Sequence, residues 1–145
     1  MAHAEGSITI DLPVNTVFDF ILDGTNNPHW RPTVVDIQRV PGKPSEAGAV
    51  FKQGLKGPGG RFDGDYEIVE SKSNELIKFQ VIAGPARPTG TYNFESLGNS
   101  TRLTFILHFE PKGLAKLMDP MITRSMQSEV GMLSNLKSYL ESHRS

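Results

Sequence analysis

Cysteine is absent from the 145 residues of this chain. A chain without cysteine cannot form a disulfide, a thiolate metal site or a cysteine nucleophile. This composition fits a reducing compartment, and we predict a cytoplasmic location.

Long apolar runs and an excess of charge of one sign are also missing. No stretch approaches the roughly 18 apolar residues that a membrane-spanning helix needs, which predicts no integral membrane segment. The first six residues, Met-Ala-His-Ala-Glu-Gly, lack the basic and then apolar order of a signal peptide. Fifteen lysines and arginines are interspersed with 16 acidic residues, for a formal net charge of −1. Without a basic face or tract, a nucleic-acid partner is not expected.

The motifs of common catalytic and metal sites are absent as well. The sequence contains no H-E-x-x-H, no G-x-S-x-G and no phosphate-binding glycine loop between a strand and a helix. The four histidines, His3, His29, His108 and His143, are scattered along the chain rather than spaced as ligands. We therefore predict neither a metal site nor a cofactor.

Length and composition favour one globular domain over residues 1–145. Hydrophobic residues make up 37% of the chain and charged residues 21%, which is ordinary for a folded protein. A domain of this size buries roughly two thirds of the surface of its unfolded chain, enough for a core without disulfides. Neither an internal repeat nor a linker divides the sequence.

The first 40 residues read as a strand, two short helices and a second strand. Polar and apolar residues alternate over 7–12, as in a half-buried strand. Pro13 then suits the first turn of a helix, and apolar residues follow it at helical spacing over 14–22. Residues 26–30 favour a short second helix or a turn, and the β-branched run at 33–40 favours a strand.

The rest of the chain reads as a meander of strands followed by a long helix. Strands are predicted at 49–56, 61–71, 75–83, 89–97 and 102–110. The turns between them are too short for a crossover helix, so these strands must pair antiparallel. Residues 112–142 have a helical pattern, in which Pro120 should produce a kink or split off a leading turn. The predicted fold class is α+β, with a curved sheet of six to seven antiparallel strands wrapped around the C-terminal helix.

Alternation along the strands predicts which side chains point toward that helix. The predicted inward set is Phe51, Leu55, Phe62, Tyr66, Ile68, Ile77, Phe79, Val81, Tyr92, Phe94, Leu103, Phe105, Leu107 and Phe109. Gly64 should also face inward, where a missing side chain either opens space or marks a bulge. These aromatic residues form either a packed core or the walls of a ligand-sized cavity. The hydroxyls of Tyr66 and Tyr92 favour the cavity, because buried hydroxyls need partners.

A carboxylate lies within the apolar stripe of the predicted C-terminal helix. On a wheel of 100° per residue the stripe centres near 60° and Glu129 falls at about 80°. Burying a carboxylate costs several kcal/mol unless it is paired or protonated. Glu129 therefore faces a wet cavity, pairs with an inward arginine, or escapes to the helix edge if the helix is rotated. On the first alternative, Glu129 and Ser125 supply the polar contacts to a ligand, and Met118, Met121 and Ile122 line the same half of the helix.

Six segments, taken in order, resemble those of a known family. They are Leu-Pro-Val-x-x-Val-Phe-Asp-Phe at 12–20, Asn-Pro-x-Trp-x-Pro at 27–32, Gly48 before a strand, Tyr-Glu-Ile-Val-Glu at 66–70, Gly-Thr-Tyr-Asn-Phe at 90–94, and Ser-Thr-Arg-Leu-Thr at 100–104. Over essentially its whole length the chain resembles the START-like or SRPBCC superfamily, in its polyketide cyclase/dehydrase-like branch.

This resemblance implies a helix-grip fold of β-α-α-β6-α order with a deep pocket between the sheet and the long helix. Members bind lipids, sterols, hormones or polyketides, and a minority catalyse cyclisation, dehydration or aromatisation. Catalytic members tend to place arginine and tyrosine in the pocket. Here Tyr66 and Tyr92 qualify, whereas the predicted strand phases place Arg61 and Arg102 outward and Arg87 in a turn. No catalytic residue is carried over.

Three functions compete on this basis. The first is binding of an apolar small molecule, lipid-, sterol- or polyketide-like, by a monomer or homodimer. The second is a polyketide cyclase or dehydratase that acts in the same cavity, and the third is an interaction module with a vestigial cavity. The predicted ligand-binding residues are Trp30, Phe51, Tyr66, Phe79, Tyr92, Phe94, Phe105, Met118, Met121, Ile122, Ser125 and Glu129.

Overall fold

The computed structural model describes residues 2–57, 59–84, 86–110 and 119–143. Its strands are β1 Ala2–Ile10, β2 Val34–Arg39, β3 Val50–Gly57, β4 Gly60–Asp63, β5 Tyr66–Lys72, β6 Leu76–Val81, β7 Thr89–Ser96 and β8 Thr101–Phe109. Its α-helices are α1 Val14–Leu22, α2 Asp119–Gly131 and α3 Leu133–Ser142, and a 3₁₀ helix occupies Gly24–His29. None of the helices in these ranges is long and apolar enough to span a membrane.

The strands form one antiparallel sheet in the order β1-β8-β7-β6-β5-β3-β2, and β4 pairs with β3 beside this path. β1 begins five residues earlier than the alternation predicted. It does so because it pairs with the whole of β8, from Ala2 opposite Phe109 to Ile10 opposite Thr101. The α+β class, the antiparallel sheet and the two short helical segments after β1 are as predicted.

The long strand predicted at 61–71 is in fact two strands. β4 pairs with the end of β3, whereas β5 pairs with the start of β3 and with β6. The chain turns at the buried Gly64, whose backbone N–H donates to the carbonyl of Gln53 over 2.8 Å. A side chain there would lie 2.7 Å from Leu55, so glycine allows the close approach. The inward orientation predicted for Phe62 is wrong: its strand lies off the main path, and Phe62 is 37% exposed.

The C-terminal helix bends at Met132, between α2 and α3. The backbone N–H of Met132 donates to the carbonyl of Glu129, three residues back, in place of a regular α-helical bond. Gly131 precedes the bend, and glycine is a weak helix former. The kink predicted at Pro120 borders residues 111–118, which lie outside the described ranges.

The bend changes which residues of α2 face the sheet. The buried residues of the two helices are Met126, Val130, Leu133, Leu136 and Leu140. In α2 this places the inner face roughly 90° away from the stripe predicted on one continuous wheel. Met121 is 63% exposed and Ser125 is also exposed, so the inward orientation predicted for both is wrong. A single helical wheel assumes one continuous helix. The bend at Met132 separates α2 from α3, so the apolar residues of the two helices do not follow one common phase.

Helix α2 lies close to β1 because β1 has a glycine at the contact. A Cβ atom on Gly6 would lie 2.6 Å from Cγ1 of Val130. Glycine therefore lets α2 approach β1. On α3, the ammonium of Lys137 donates to the carbonyl of Thr9 of β1 over 2.8 Å. These contacts fix the helix over one side of the sheet and leave the concave face of the other strands for aromatic side chains.

Candidate functional site

Six aromatic side chains form a continuous row across the concave face of the sheet. The row runs Phe51, Tyr66, Phe79, Tyr92, Phe105, Trp30, and neighbouring ring centroids are 5.2, 5.3, 5.8, 4.4 and 6.4 Å apart. Five of the rings come from five different strands and Trp30 closes the row from the end of the 3₁₀ helix. All six were predicted as ligand-binding residues. The structure brings them together as one aromatic row, and three of them, Tyr66, Phe79 and Tyr92, line the cavity described below.

Phe94 does not belong to this row. It shares the inner face of β7 with Tyr92, but its ring packs edge-on against Phe18 of α1, with centroids 5.1 Å apart. Helix α1 therefore covers this end of the sheet, and Phe94 is not in the wall of the cavity described below. Phe94 belongs to the hydrophobic core.

One small cavity lies beside the aromatic row. Its walls come from α1, the 3₁₀ helix, the following loop, β5, β6 and β7, and are formed by Ile21, Asn27, Arg31, Tyr66, Ile68, Ile77, Phe79 and Tyr92. Its volume is about 20 Å³, which is room for one or two waters. These eight residues do not enclose the ligand-sized space that was predicted.

Arg31 is the charged residue of the cavity wall, and it is buried with 8% of its surface exposed. Its Nε donates to Oε2 of Glu129 over 3.0 Å, and the hydroxyl of Thr33 donates to Oε1 of the same carboxylate over 2.8 Å. Burial by itself opposes the charge of Arg31, but Glu129, with Tyr92 and Tyr66, outweighs it and raises the pKa of Arg31. Of the three alternatives for Glu129, the structure shows the pair with an inward arginine.

The terminal amino groups of Arg31 remain available to the cavity. Among the described residues, only Nε of this guanidinium has a hydrogen-bond acceptor. The plane lies near the ring of Trp30, with Cζ 5.9 Å from the ring centroid. Arg31 lines the cavity, so these amino groups can donate to water or to a polar atom of a ligand there.

Tyr66 reaches the cavity through a chain of buried amides. Nδ2 of Asn27 donates to the Tyr66 hydroxyl over 3.1 Å and to Oε1 of Gln53 over 3.0 Å, and Nε2 of Gln53 donates to the carbonyl of Gly64 over 3.3 Å. The Tyr66 hydroxyl therefore accepts from Asn27, and its own proton has no acceptor among the described residues. Burial raises the pKa of Tyr66 to about 12, so the phenol stays protonated near neutral pH.

The second tyrosine of the cavity has no hydrogen-bond partner in the described part of the chain. Tyr92 is 5% exposed, and its ring stacks on Phe105 at 4.4 Å between centroids. Burial raises the pKa of Tyr92 above its ordinary value, although nearby Arg31 acts in the opposite direction. Tyr92 is therefore a neutral phenol whose O–H can be donated into the cavity.

Gly24, at the start of the 3₁₀ helix, makes room for this arrangement. A Cβ atom at this position would collide with the hydroxyl of Tyr66 and lie 3.1 Å from the ring of Phe51. The helix begins here because the carboxylate of Asp23 accepts from the backbone N–H of Thr25 over 3.1 Å. The glycine and the cap together bring Asn27 against Tyr66.

Hydrogen-bond donors without acceptors give the site its chemical character. The amino groups of Arg31 and the hydroxyls of Tyr66 and Tyr92 are donors without acceptors among the described residues. Around them stand isoleucine and phenylalanine side chains. An apolar cavity with convergent donors suits an apolar molecule that carries an acceptor oxygen.

Three polar residues of the site, Asn27, Arg31 and Gln53, were not predicted from the sequence. Asn27, Arg31 and Gln53 are buried polar residues, and a buried polar residue leaves no periodic signal. The signal that was present is the segment at 27–32, which contains both Asn27 and Arg31. Of the predicted helix residues, Ile122 is half-buried against the core, and Met118 lies outside the described residues.

Comparisons with known proteins agree with this architecture. The structure superposes on a START superfamily protein from Mycobacterium smegmatis with a TM-score of 0.83 at 15% identity, covering 99% of this chain and 100% of that one. The protein TTHA0849 of Thermus thermophilus gives 0.81 at 19% identity, with 99% of each chain covered. The di-domain ARO/CYC BexL of the BE-7585A biosynthetic pathway gives 0.70 at 21% identity, covering 97% of this chain and 47% of BexL. A comparison with curated proteins finds no match.

These similarities show the helix-grip fold that the resemblance implied. At sequence level, residues 1–141 match the family described as polyketide cyclase / dehydrase and lipid transport. The match covers every described strand, α2 and all but the last residue of α3. It includes every residue of the aromatic row and of the cavity wall. This chain therefore belongs to the polyketide cyclase / dehydrase and lipid transport family within the START-like fold.

Proposed function

We propose that this protein binds an apolar small molecule that carries an acceptor oxygen, and that the oxygen is held by Arg31, Tyr66 and Tyr92. One observation carries the proposal: three buried residues direct free donors into a cavity whose other walls are mainly apolar. In the ligand-free cavity water can accept from these donors. A hydrocarbon ligand that displaced the water would leave each donor uncompensated, at a cost of about 1–3 kcal/mol, whereas a ligand oxygen that accepts from them avoids that cost.

Such a ligand is larger than the cavity, so binding requires movement of its walls. The ring of Phe79 is one movable wall, since it covers the cavity from β6.

The test uses 2-acetylnaphthalene, an apolar double ring with one ketone oxygen, titrated into the protein and followed by calorimetry. Tyr92→Phe removes one hydroxyl and should weaken binding by roughly 3- to 10-fold, the usual value of one hydrogen bond. Tyr139→Phe is the matched control, because Tyr139 packs outside the cavity against Phe20 and His29. The proposal is wrong if the wild type shows no binding, or if both variants bind equally well.

A cyclase or dehydratase is the second candidate, favoured by the same donors. Cyclisation and dehydration next to a ketone develop negative charge on the ketone oxygen, and oriented donors stabilise that charge. Tyr92, as a neutral phenol, can act as a general acid but is a weak base near pH 7. Turnover of a polyketide-like ketone that is lost in Tyr92→Phe while binding persists would favour this candidate. A cytoplasmic location and a monomeric or homodimeric state stay predictions.

A further inference from the structure

We infer that Glu129 is a specificity-determining residue that makes the cavity selective for neutral over anionic ligands. The inference rests on the proposed binding function, because it concerns which molecules the same donors accept. It follows from the charge balance around Arg31 and from the way Glu129 is held.

The charge of the cavity wall is balanced by a residue behind it. Of the eight residues in the wall, Arg31 alone carries a charge. Glu129 is not in the wall, but it bonds to Arg31 at 3.0 Å and its side chain is only 16% exposed. A ligand in the cavity therefore meets hydrogen-bond donors but no net charge.

An anionic ligand would upset this balance. It would place a second negative charge beside one buried cation, in surroundings where charges interact far more strongly than in water. Taking the anion out of water also costs several kcal/mol, and a guanidinium that is already paired repays less of that cost than a free one. A neutral carbonyl accepts the same hydrogen bonds without this penalty.

Glu129 is also held too firmly to give way to a ligand. Both carboxylate oxygens are occupied, one by Arg31 and the other by the hydroxyl of Thr33. On the same turn of α2, Val130 is 7% exposed and packs over Gly6 of β1. An anion that displaced Glu129 would have to break two hydrogen bonds and shift this helix. The experiment below also tests the opposite case, in which an anion replaces Glu129.

The experiment compares two ligands of nearly the same shape. 2-Acetylnaphthalene carries a methyl ketone, and 2-naphthoate carries a carboxylate in its place. Both are titrated calorimetrically at pH 7.5 into the wild type, Glu129→Gln, and Glu95→Gln. Glu95 is the matched control, because it undergoes the same loss of charge on an exposed position of β7. The measured quantity is the ratio of the two dissociation constants.

We expect the wild type and Glu95→Gln to bind the ketone about 10-fold more tightly than the carboxylate, or better. Glu129→Gln leaves Arg31 unpaired, and the ratio should shift by at least about 10-fold toward the carboxylate. A second variant, Arg31→Gln with Glu129→Gln, removes both charges and should return the preference to the ketone. Circular dichroism checks that each variant is folded. If Glu129→Gln does not fold, the double variant still tests the inference, because its preference for the carboxylate would contradict it.

The outcomes separate this inference from the proposed function. If the wild type binds the ketone but Glu129→Gln leaves the ratio unchanged, or if the double variant prefers the carboxylate, the inference is wrong and the binding function stands. If the wild type binds the carboxylate more tightly, ligand anions replace Glu129 and the inference is also wrong. If the wild type binds neither molecule, the proposed function fails and the inference falls with it.

Discussion

Arg31 and Glu129 stand 98 residues apart in the sequence and join across 3.0 Å in the fold. Arg31 lies just after the 3₁₀ helix in the N-terminal part of the chain, and Glu129 lies in α2, in the C-terminal part. Their ion pair therefore joins two distant parts of the chain at the site.

Breaking this pair from one side should destabilise the fold. Arg31→Gln leaves Glu129 buried without its cation, and we expect the free energy of unfolding to fall by about 3 kcal/mol. Removing both charges, in Arg31→Gln with Glu129→Gln, should cost clearly less than the sum of the two single changes, since no charge is left unpaired. Urea denaturation of the four proteins measures this coupling, and strictly additive effects would contradict it.

High pH should unfold the protein through its buried tyrosines. The pKa of Tyr66 rises from 10.0 to about 12 on folding. A raised folded-state pKa gives stability that is complete below pH 10 and is lost as the pH climbs toward 12. Tyr92 acts in the same direction. The melting temperature should therefore fall between about pH 10 and 12, and less steeply in Tyr66→Phe.

Ultraviolet absorbance near 295 nm gives an independent measurement, because tyrosine absorbs there when ionised but hardly when neutral, and the constant absorbance of the one tryptophan is subtracted. The chain has three tyrosines. We expect the absorbance of Tyr66 and Tyr92 to appear only at or above pH 11, together with unfolding. Full ionisation of all three tyrosines near pH 10 in the folded protein would disprove the prediction.

Gly90 should tolerate no side chain. A Cβ atom at this position would collide with the ring of Phe79, which lies directly over β7. Gly90→Ala should lower the free energy of unfolding by about 1–3 kcal/mol, the usual cost of overpacking, and should disturb the aromatic row. Gly59→Ala is the control, because nothing lies within 4 Å of its Cβ position. Thermal unfolding compares the two, and equal melting temperatures would rule the prediction out.

An exposed ion pair at the edge of the sheet should be visible in a titration. Arg61 donates to both carboxylate oxygens of Asp36, at 2.8 and 2.9 Å, and these hydrogen bonds lower the pKa of Asp36. In Arg61→Ala the pKa of Asp36 should rise toward its ordinary value, as followed by carbon-detected NMR. Arg102→Ala serves as the control, since Arg102 pairs with Glu95 elsewhere on the sheet. An unchanged Asp36 titration in Arg61→Ala would contradict the assignment.

The fold was largely predictable because strands and helices repeat their apolar residues at fixed periods. Turns too short for a crossover helix predicted the antiparallel meander. Alternation predicted the inward direction of the five strand rings in the aromatic row, because each ring points to one face by the geometry of its own strand. The same rule failed at Phe62, because a strand that changes partner at Gly64 no longer keeps one phase. The helical period failed at Met121 and Ser125, because a single helical wheel treats the C-terminal helix as continuous, whereas it bends at Met132.

By itself, then, the sequence determined what depends on neighbours along the chain: the order of elements, the inner faces of the strands, and family membership through its spaced motifs. Tertiary structure alone decided which other buried polar residues join the site. Arg31, Asn27 and Gln53 acquire their roles from residues 26 to 98 positions away. A charge or an amide is stable in the interior only where a distant partner meets it, and no local pattern specifies where that partner will lie.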